Sequence, residues 1–494
     1  MQHFIAIDLG TTHSKAVIVN ENGKVLHTCK ATVTSFQHQE GEHTQEAEAI
    51  FQNVLALLKE CIGYLKEDNI ACVSFSAGMH SFMAVDKNGK PLMRAMTWAD
   101  SQSKKYAQAL RSSERGPEIF KYTGTAIHAM SPLCKLLWLK NEKPEIFNAA
   151  YKFISIKEYI FFRLFGKFIV DEGITCSTGL YNIYEHKWYQ PSLQLAGIEA
   201  SKLSAVVDVT HSETIMQPAI KEELNITQEI PFVMGGNDGC LANLGCGALS
   251  TDIAVLTLGT SGAVRLTIPK PAAPKEPEGL FRYILTKELY VTGGPINNGG
   301  IVLEWFAKHF LNMPLYEKDN FNTVMQLASK SPATAEGLLF LPYLLGERAP
   351  VWDEDTSGIF YGLKMNHSQT HLTRAVIEGI SFSLLQILEN IQHQNNTVEA
   401  VYVSGFVTQS DFWLQLLADM FGKKIILNDV ADASAMGAAM IGMYATGFIK
   451  ELAEVKQFLA TDKVFMPNEI NHALYQKHFE RYRKLYPAFK NVSM

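Results

Sequence analysis

Two short stretches place small hydroxyl residues beside a glycine between apolar runs. In FIAIDLGTTHSKAVIV (Phe4–Val19), Asp8 closes one run, Gly10, Thr11 and Thr12 form a turn, and Lys15 opens a second strand where a phosphate loop would have a helix. In IAVLTLGTSGAVRLT (Ile253–Thr267), Leu258, Gly259, Thr260 and Ser261 superpose on Leu9, Gly10, Thr11 and Thr12. A tight turn exposes successive backbone N–H groups, glycine lets a phosphate approach them, and hydroxyls add donors. Two such hairpins, one from each half of a duplicated chain, can hold a polyphosphate without a helix N-terminus. Only the first carries a carboxylate; the position matching Asp8 is Thr257. One acid beside a triphosphate suits a Mg²⁺ ion, which prefers oxygen ligands, whereas two would repel the phosphate. The competing reading is two ordinary hairpins with polar tips.

Asp238, in VMGGNDGC, follows a strand within a Gly-rich turn that brings backbone close to a ligand; the alternative is an Asp capping the next helix. SAGMHSFMAVDKNGKPLMRAMTWAD (Ser76–Asp100) reads as strand, turn, strand, with a reversal at Asn88-Gly89. It sets Met79, His80, Trp98 and Asp100 at strand ends. A polyol needs hydroxyl-directed polar groups and an aromatic wall, which these residues offer, although a lone His or Trp also serves as core or surface.

The elements that position these residues form an α/β pattern. A three-strand meander with an Asn-Gly turn in NENGK leads to an amphipathic helix over 44–67, then the buried strand IACVSFSAG. A chain of 494 residues exceeds one core. The repeat divides it into domains 1–247 and 248–494, with closing helices from about 451. DASAMGAAM (Asp432–Met440) reads as a small-residue helix built for tight packing. The net charge of −6 excludes an electrostatic case for nucleic acid or an anionic membrane. The seven cysteines form no C-x-x-C pair and are expected as packed thiols. With no export signal and no membrane-spanning run, a cytoplasmic location is expected.

AIDLGTTHSK and TLGTSG resemble the two phosphate loops of the actin, hexokinase and sugar kinase superfamily. PYLLGERAPVWDEDTSGIFYGL (Pro342–Leu363) is similar to a C-terminal signature of the FGGY carbohydrate kinases, and GGNDGCLANLG to the segment that carries their catalytic aspartate. The resemblance runs along nearly the whole chain, with the motifs in order. It implies two duplicated actin-like (ribonuclease H-like) domains with a ligand cleft between them, which closes on substrate. It implies ATP and Mg²⁺ as cofactors, Asp238 as the group accepting the sugar hydroxyl proton, and Asp8 as the metal residue. Gly10, Thr11, Thr12, Ser14, Lys15, Gly259, Thr260, Ser261, Ser404 and Gly405 are the implied ATP contacts; Met79, His80, Trp98, Asp100 and Asn237 are the implied sugar contacts.

Two positions depart from the family pattern. Gly405-Phe406 stands where the family carries consecutive glycines, exchanging close backbone approach for a ring able to stack on a base. Gln102 replaces a frequent Arg, depriving Asp100 of an ion-pair partner. TGTAIHAMSPLCKLLWLK, TWAD and GGPINNGGIVLEWF look most like gluconate kinases. The expected acceptor is therefore D-gluconate, with His80, His128, Lys135, Asn297 and Asn298 as donors for its carboxylate; a packed His128 is the alternative. Kinases for xylulose, ribulose or glycerol remain open, as does a nucleotide-gated actin-like assembly protein. The expected partner is a small-molecule sugar acid or polyol, and a homodimer is compatible with the resemblance.

Overall fold

Strands His3–Leu9 and His13–Asn20 are antiparallel, and Ile70–Ala77 lies parallel to the first on its other side. Val25–Thr32 and Phe232–Asn237 extend this sheet on its two flanks. The second sheet repeats the plan: Ile253–Leu258 pairs antiparallel with Gly262–Pro269 and parallel with Ala400–Gly405, flanked by Leu289–Ile296 and Lys424–Asn428. In a computed structural model of the chain, residues 2–492 are described except 67–69, 318, 395, 429, 431 and 491. The fold is two α/β halves with matching strand order, as the duplicated hairpins implied.

Phe4 to Leu9 are all buried, because their sheet is covered on both faces. On one face lies the helix Ala47–Leu65, which buries Ile50, Phe51, Val54, Leu57 and Leu58. It begins later than the expected 44, since Thr44–Gln45 pairs as a short strand with Ser35–Phe36 and Ala95–Met96. The side chain of Gln45 then donates to the Thr11 carbonyl at 2.6 Å, bracing the first hairpin.

Between the halves, helices Asp238–Gly245 and Ala433–Ala445 pack against each other. A Cβ on Gly437 would lie 2.0 Å from the Leu241 carbonyl oxygen, and one on Gly245 1.9 Å from that of Ala433. Only glycine permits this approach, so the small-residue helix has the packing role expected of it. All seven cysteines are buried thiols, none of them in a disulfide. Among the described residues, no helix is long and apolar enough to cross a membrane.

Candidate active site

Where Phe232–Asn237 ends, Asn237 caps the next helix: its Oδ1 accepts the Cys240 N–H at 2.8 Å, and its Nδ2 donates to the Gly173 carbonyl at 2.8 Å. The residue is wholly buried, with one N–H and one lone pair of its amide so engaged. Asn237, expected to touch the sugar, is not among the residues lining the cavity, and as the cap it positions Asp238. With the cap provided, Asp238 keeps only a short-range bond from the Gly239 N–H, at 2.7 Å to Oδ1, among the described residues. Burial, reinforced by the charge of Asp8 and opposed by Arg265, pushes the Asp238 carboxyl up to about 6.

Asp238 lines a cavity of ≈ 210 Å³ together with Met79, His80, Trp98, Arg265 and Arg348. His80 holds a left-handed backbone (φ 66°), which a non-glycine residue keeps only when its surroundings compel it. Two contacts do so: His80 Nδ1 meets the Ser177 carbonyl at 2.8 Å, and Lys135 Nζ donates to the His80 carbonyl at 2.6 Å. Lys135 also donates to the Thr97 carbonyl at 2.7 Å, tying the His80 and Trp98 segments together. Burial, aided by the Lys135 charge, lowers the His80 pKa to about 3. The ring is therefore neutral, and with Nδ1–H donating to a carbonyl, Nε2 is an acceptor suited to a hydroxyl.

Asp100 is not among the cavity-lining residues. Its Oδ2 accepts the His43 N–H at 2.8 Å and the Gln102 side chain at 2.9 Å, so it secures the adjoining loop. Gln102 thus supplies Asp100 with a neutral partner in place of the missing arginine. Asn297 and Asn298 are bound to the carbonyls of Leu345 and Gly346. His128 accepts the Met130 N–H at 3.1 Å, packs edge-on to Trp352 and sets its Nε2 3.4 Å from Glu354 Oε1.

The first hairpin presents Gly10, Thr11 and Thr12 at its turn, with Ser14 buried and Lys15 paired opposite Asp8. Burial raises the Asp8 pKa and Asp432 adds to the rise, while Ser76, Lys15 and Ser434 oppose it. Ser434 donates to Asp8 Oδ2 at 3.2 Å, whereas Oδ1 is buried without a protein partner. An orphaned carboxylate oxygen beside two further acids fits a divalent cation. Lys15 reaches across the halves to Asp432 at 2.8 Å. That partner was missed from sequence, where Asp432 reads only as the start of a packing helix.

In the second hairpin, Gly259 N donates to the Ser261 carbonyl at 2.8 Å. The Gly259 and Thr260 carbonyls accept from Gly300 and Ile301, at 2.8 and 3.1 Å, where a helix begins. A Cβ on Gly259 would meet nothing nearer than the Ser261 carbonyl oxygen at 4.0 Å, leaving room for a ligand at the turn. Ser404 donates to Thr257 at 3.2 Å, and Gly405 (φ 95°) lies so close to Leu258 that a Cβ would sit 2.3 Å from its carbonyl oxygen. The Phe406 ring is half-buried and packs against Gly300 and edge-to-face with Phe321 and Trp413, with centroids 5.7 and 5.6 Å from the two rings. The cavity also holds two arginines that sequence reasoning passed over. Arg265 is the one charge in the apolar run after TLGTSG, and alternation from Thr257 and Ala263 could have placed it on their face.

Residues 3–245 match the N-terminal domain of the FGGY family of carbohydrate kinases, and residues 254–446 match its C-terminal domain. The gluconokinase of Bacillus subtilis (strain 168) is 35% identical over 497 residues, covering 99% of this chain and 95% of that protein. Among solved structures, ligand-bound xylulose kinase from Lactobacillus acidophilus aligns with a TM-score of 0.94 at 33% identity, covering 100% of this chain and 99% of that one. Gluconate kinase from Lactobacillus acidophilus aligns with a TM-score of 0.92 at 34% identity, covering 99% and 98%.

Proposed function

The chain belongs to the FGGY family of carbohydrate kinases, and from that premise we propose that it phosphorylates D-gluconate on its terminal hydroxyl, giving 6-phospho-D-gluconate and ADP. As a member it is an ATP-dependent sugar phosphotransferase with an alcohol acceptor. The observation that carries the mechanism is Asp238, a half-buried carboxylate relieved of helix capping by Asn237 and lining a cavity beside His80 and Trp98. Similarity to gluconokinase along the whole chain supports the acceptor.

In this reading residues 1–247 supply the sugar wall, the first hairpin and the base, and residues 248–494 the second hairpin and nucleotide side. His80 Nε2 accepts from a sugar hydroxyl, Met79 and Trp98 cover the carbon chain, and the turns at Gly10–Thr12 and Gly259–Ser261 hold phosphate oxygens. The acceptor oxygen forms a bond to the γ-phosphorus as the bond to the ADP oxygen breaks, and Asp238 takes the hydroxyl proton late in the transfer. A carboxylate suffices because a loose transition state asks it to orient the hydroxyl before it takes the proton. Mg²⁺ held at Asp8 would neutralise charge on the phosphate oxygens. Closure of the halves excludes water, the competing acceptor.

The test is ADP release with Mg-ATP against gluconate, xylulose, ribulose, glycerol and no acceptor. Turnover led by gluconate is the expected result. The fit to a solved xylulose kinase supports xylulose as the second reading, and a higher kcat/KM for xylulose would replace gluconate with it. ATP turnover equal in every mixture, including the one without acceptor, would reject the acceptor site altogether.

A further inference from the structure

Three hydrogen-bond donors lining the cavity have no acceptor within the described protein. The Nε atoms of Arg265 and Arg348 and the hydroxyl of Tyr283 are buried and unpartnered. Arg265 otherwise reaches only the Thr257 hydroxyl, at 3.4 Å. Arg348 donates to the Ile296 carbonyl at 2.9 Å and lies over the Trp98 ring, 5.2 Å from its centroid. Neither guanidinium forms a salt bridge with a described carboxylate. Glu347, next in sequence to Arg348, is turned to the Asn297 N–H and the Asn298 side chain. Tyr283 stacks on Phe281 and meets His80 edge-on, with ring centroids 4.4 and 6.2 Å apart. Each guanidinium feels one carboxylate charge, Arg265 that of Asp238 and Arg348 that of Glu347, but neither is hydrogen-bonded to it, and the buried Nε–H groups lose solvation that an entering anion would restore.

Of the other candidate donors for an anion, Lys135 gives two N–H groups to carbonyls, Asn298 is tied to the Gly346 and Glu347 segment, and His80 presents an acceptor. His128, whose Nε2 lies 3.4 Å from Glu354 Oε1, does not line the cavity. We infer that Arg265, Tyr283 and Arg348 form a carboxylate-binding site in the cleft that selects an aldonate, a sugar acid, over the neutral polyol of the same carbon chain. The inference rests on the sugar kinase reading above and refines its substrate class. Both arginines and the tyrosine come from the second half of the chain, whereas His80, Trp98 and Asp238 come from the first. Acceptor selection therefore needs both halves. A phosphoryl oxygen of the nucleotide is the other anion that could reach these donors, and the test separates the two.

The experiment measures binding of D-gluconate, D-xylonate, D-glucitol and ATP to the full chain by calorimetry, with kcat and KM for each acceptor. D-glucitol is gluconate with the carboxylate replaced by a hydroxymethyl group, so it reports the rest of the site. Arg265→Gln is expected to weaken gluconate binding roughly 100-fold, from the loss of charge-assisted bonds, with glucitol and ATP within about 3-fold. Tyr283→Phe removes one hydroxyl and preserves the ring stack; it is expected to weaken gluconate roughly 10-fold and leave glucitol unchanged. If Arg265→Gln does not fold, Tyr283→Phe decides the matter by the same ratio. Equal loss of gluconate and glucitol, or no loss of either, overturns the carboxylate site. A loss confined to ATP assigns the arginine to the phosphoryl group and overturns it as well. A wild type that prefers xylonate rejects gluconate as substrate but supports this site, whereas one that prefers glucitol rejects both.

Discussion

The two hairpins share a strand plan and differ in charge. In the first, Leu9 pairs with Ser14, so four residues form the turn, and Asp8 faces Lys15 just below it. In the second, Leu258 pairs with Gly262 around three residues, and Thr257 faces Ala263 at the corresponding place. The first hairpin also receives a carboxylate and a hydroxyl from the other half, through Asp432 and Ser434. Duplication thus supplied two similar cradles, and substitution put a carboxylate in one and, in the other, a threonine that Arg265 bonds. A triphosphate gains from one acid that can hold a cation and loses from a second that cannot.

The sharpest test of this asymmetry starts at Asp238, the acid that lies within electrostatic reach of Asp8 and Arg265. Asp238→Asn should lower kcat by about 10²–10⁴-fold, the range for loss of a general base, with sugar and ATP binding preserved. A kcat within a few-fold of wild type would remove Asp238 from proton transfer. Next, Asp8→Asn should cut turnover on the order of 10²-fold and raise the Mg²⁺ concentration needed for half-maximal rate. An unchanged Mg²⁺ dependence would sink the metal role. The reciprocal change, Thr257→Asp, sets an acid against Arg265, which bonds the Thr257 hydroxyl at 3.4 Å. That pairing offsets repulsion of the phosphates, so ATP KM should rise by no more than about 3-fold; a rise beyond about 10-fold would mean that the acid meets the phosphates unpaired.

The carboxyl of Asp238 also predicts a pH profile. Its pKa is raised to about 6, and transfer needs the ionised form, so kcat/KM should fall on the acid side below that value and level off above it. His80, lowered to about 3, stays neutral throughout and contributes no limb in the working range. A profile flat down to pH 5 would place the acceptor proton elsewhere.

Sequence exposed what is local and repeated. The Gly-Thr-hydroxyl turns, the Gly-rich strand end before Asp238 and the strand ends at His80 and Trp98 all carry their signal within a few residues. What it hid depends on distant partners. The amide of Asn237 is oriented by the Gly173 carbonyl, 64 residues away. Phe406 is a ring beside a nucleotide loop until Gly300, Phe321 and Trp413 close around it. Asp100 has the right chemistry for a polyol but is consumed by His43 and Gln102. The unpaired donors of Arg265 and Tyr283 are visible only once every neighbouring acceptor has been accounted for.

The smallest expected effect belongs to the bridge between the halves. Lys15 and Asp432 meet at 2.8 Å, with Lys15 about a third exposed and Asp432 less so. Burial works against the lysine charge, but the hydrogen bond and charge of Asp432, with the charge of Asp8, outweigh it and raise the Lys15 pKa. Solvent screens such a pair, so Asp432→Asn should cost only about 0.5–1 kcal/mol in denaturant unfolding. That substitution keeps a side chain able to cap Ala433–Ala445, so helix fraying does not confuse the result. Its functional effect should exceed its structural one, because freeing Lys15 changes the charge beside Asp8. A several-fold change in Mg²⁺ dependence with almost no loss of stability is the expected pattern. A large stability loss with unaltered Mg²⁺ response would make the bridge a fastener of the two halves and remove it from the charged cradle.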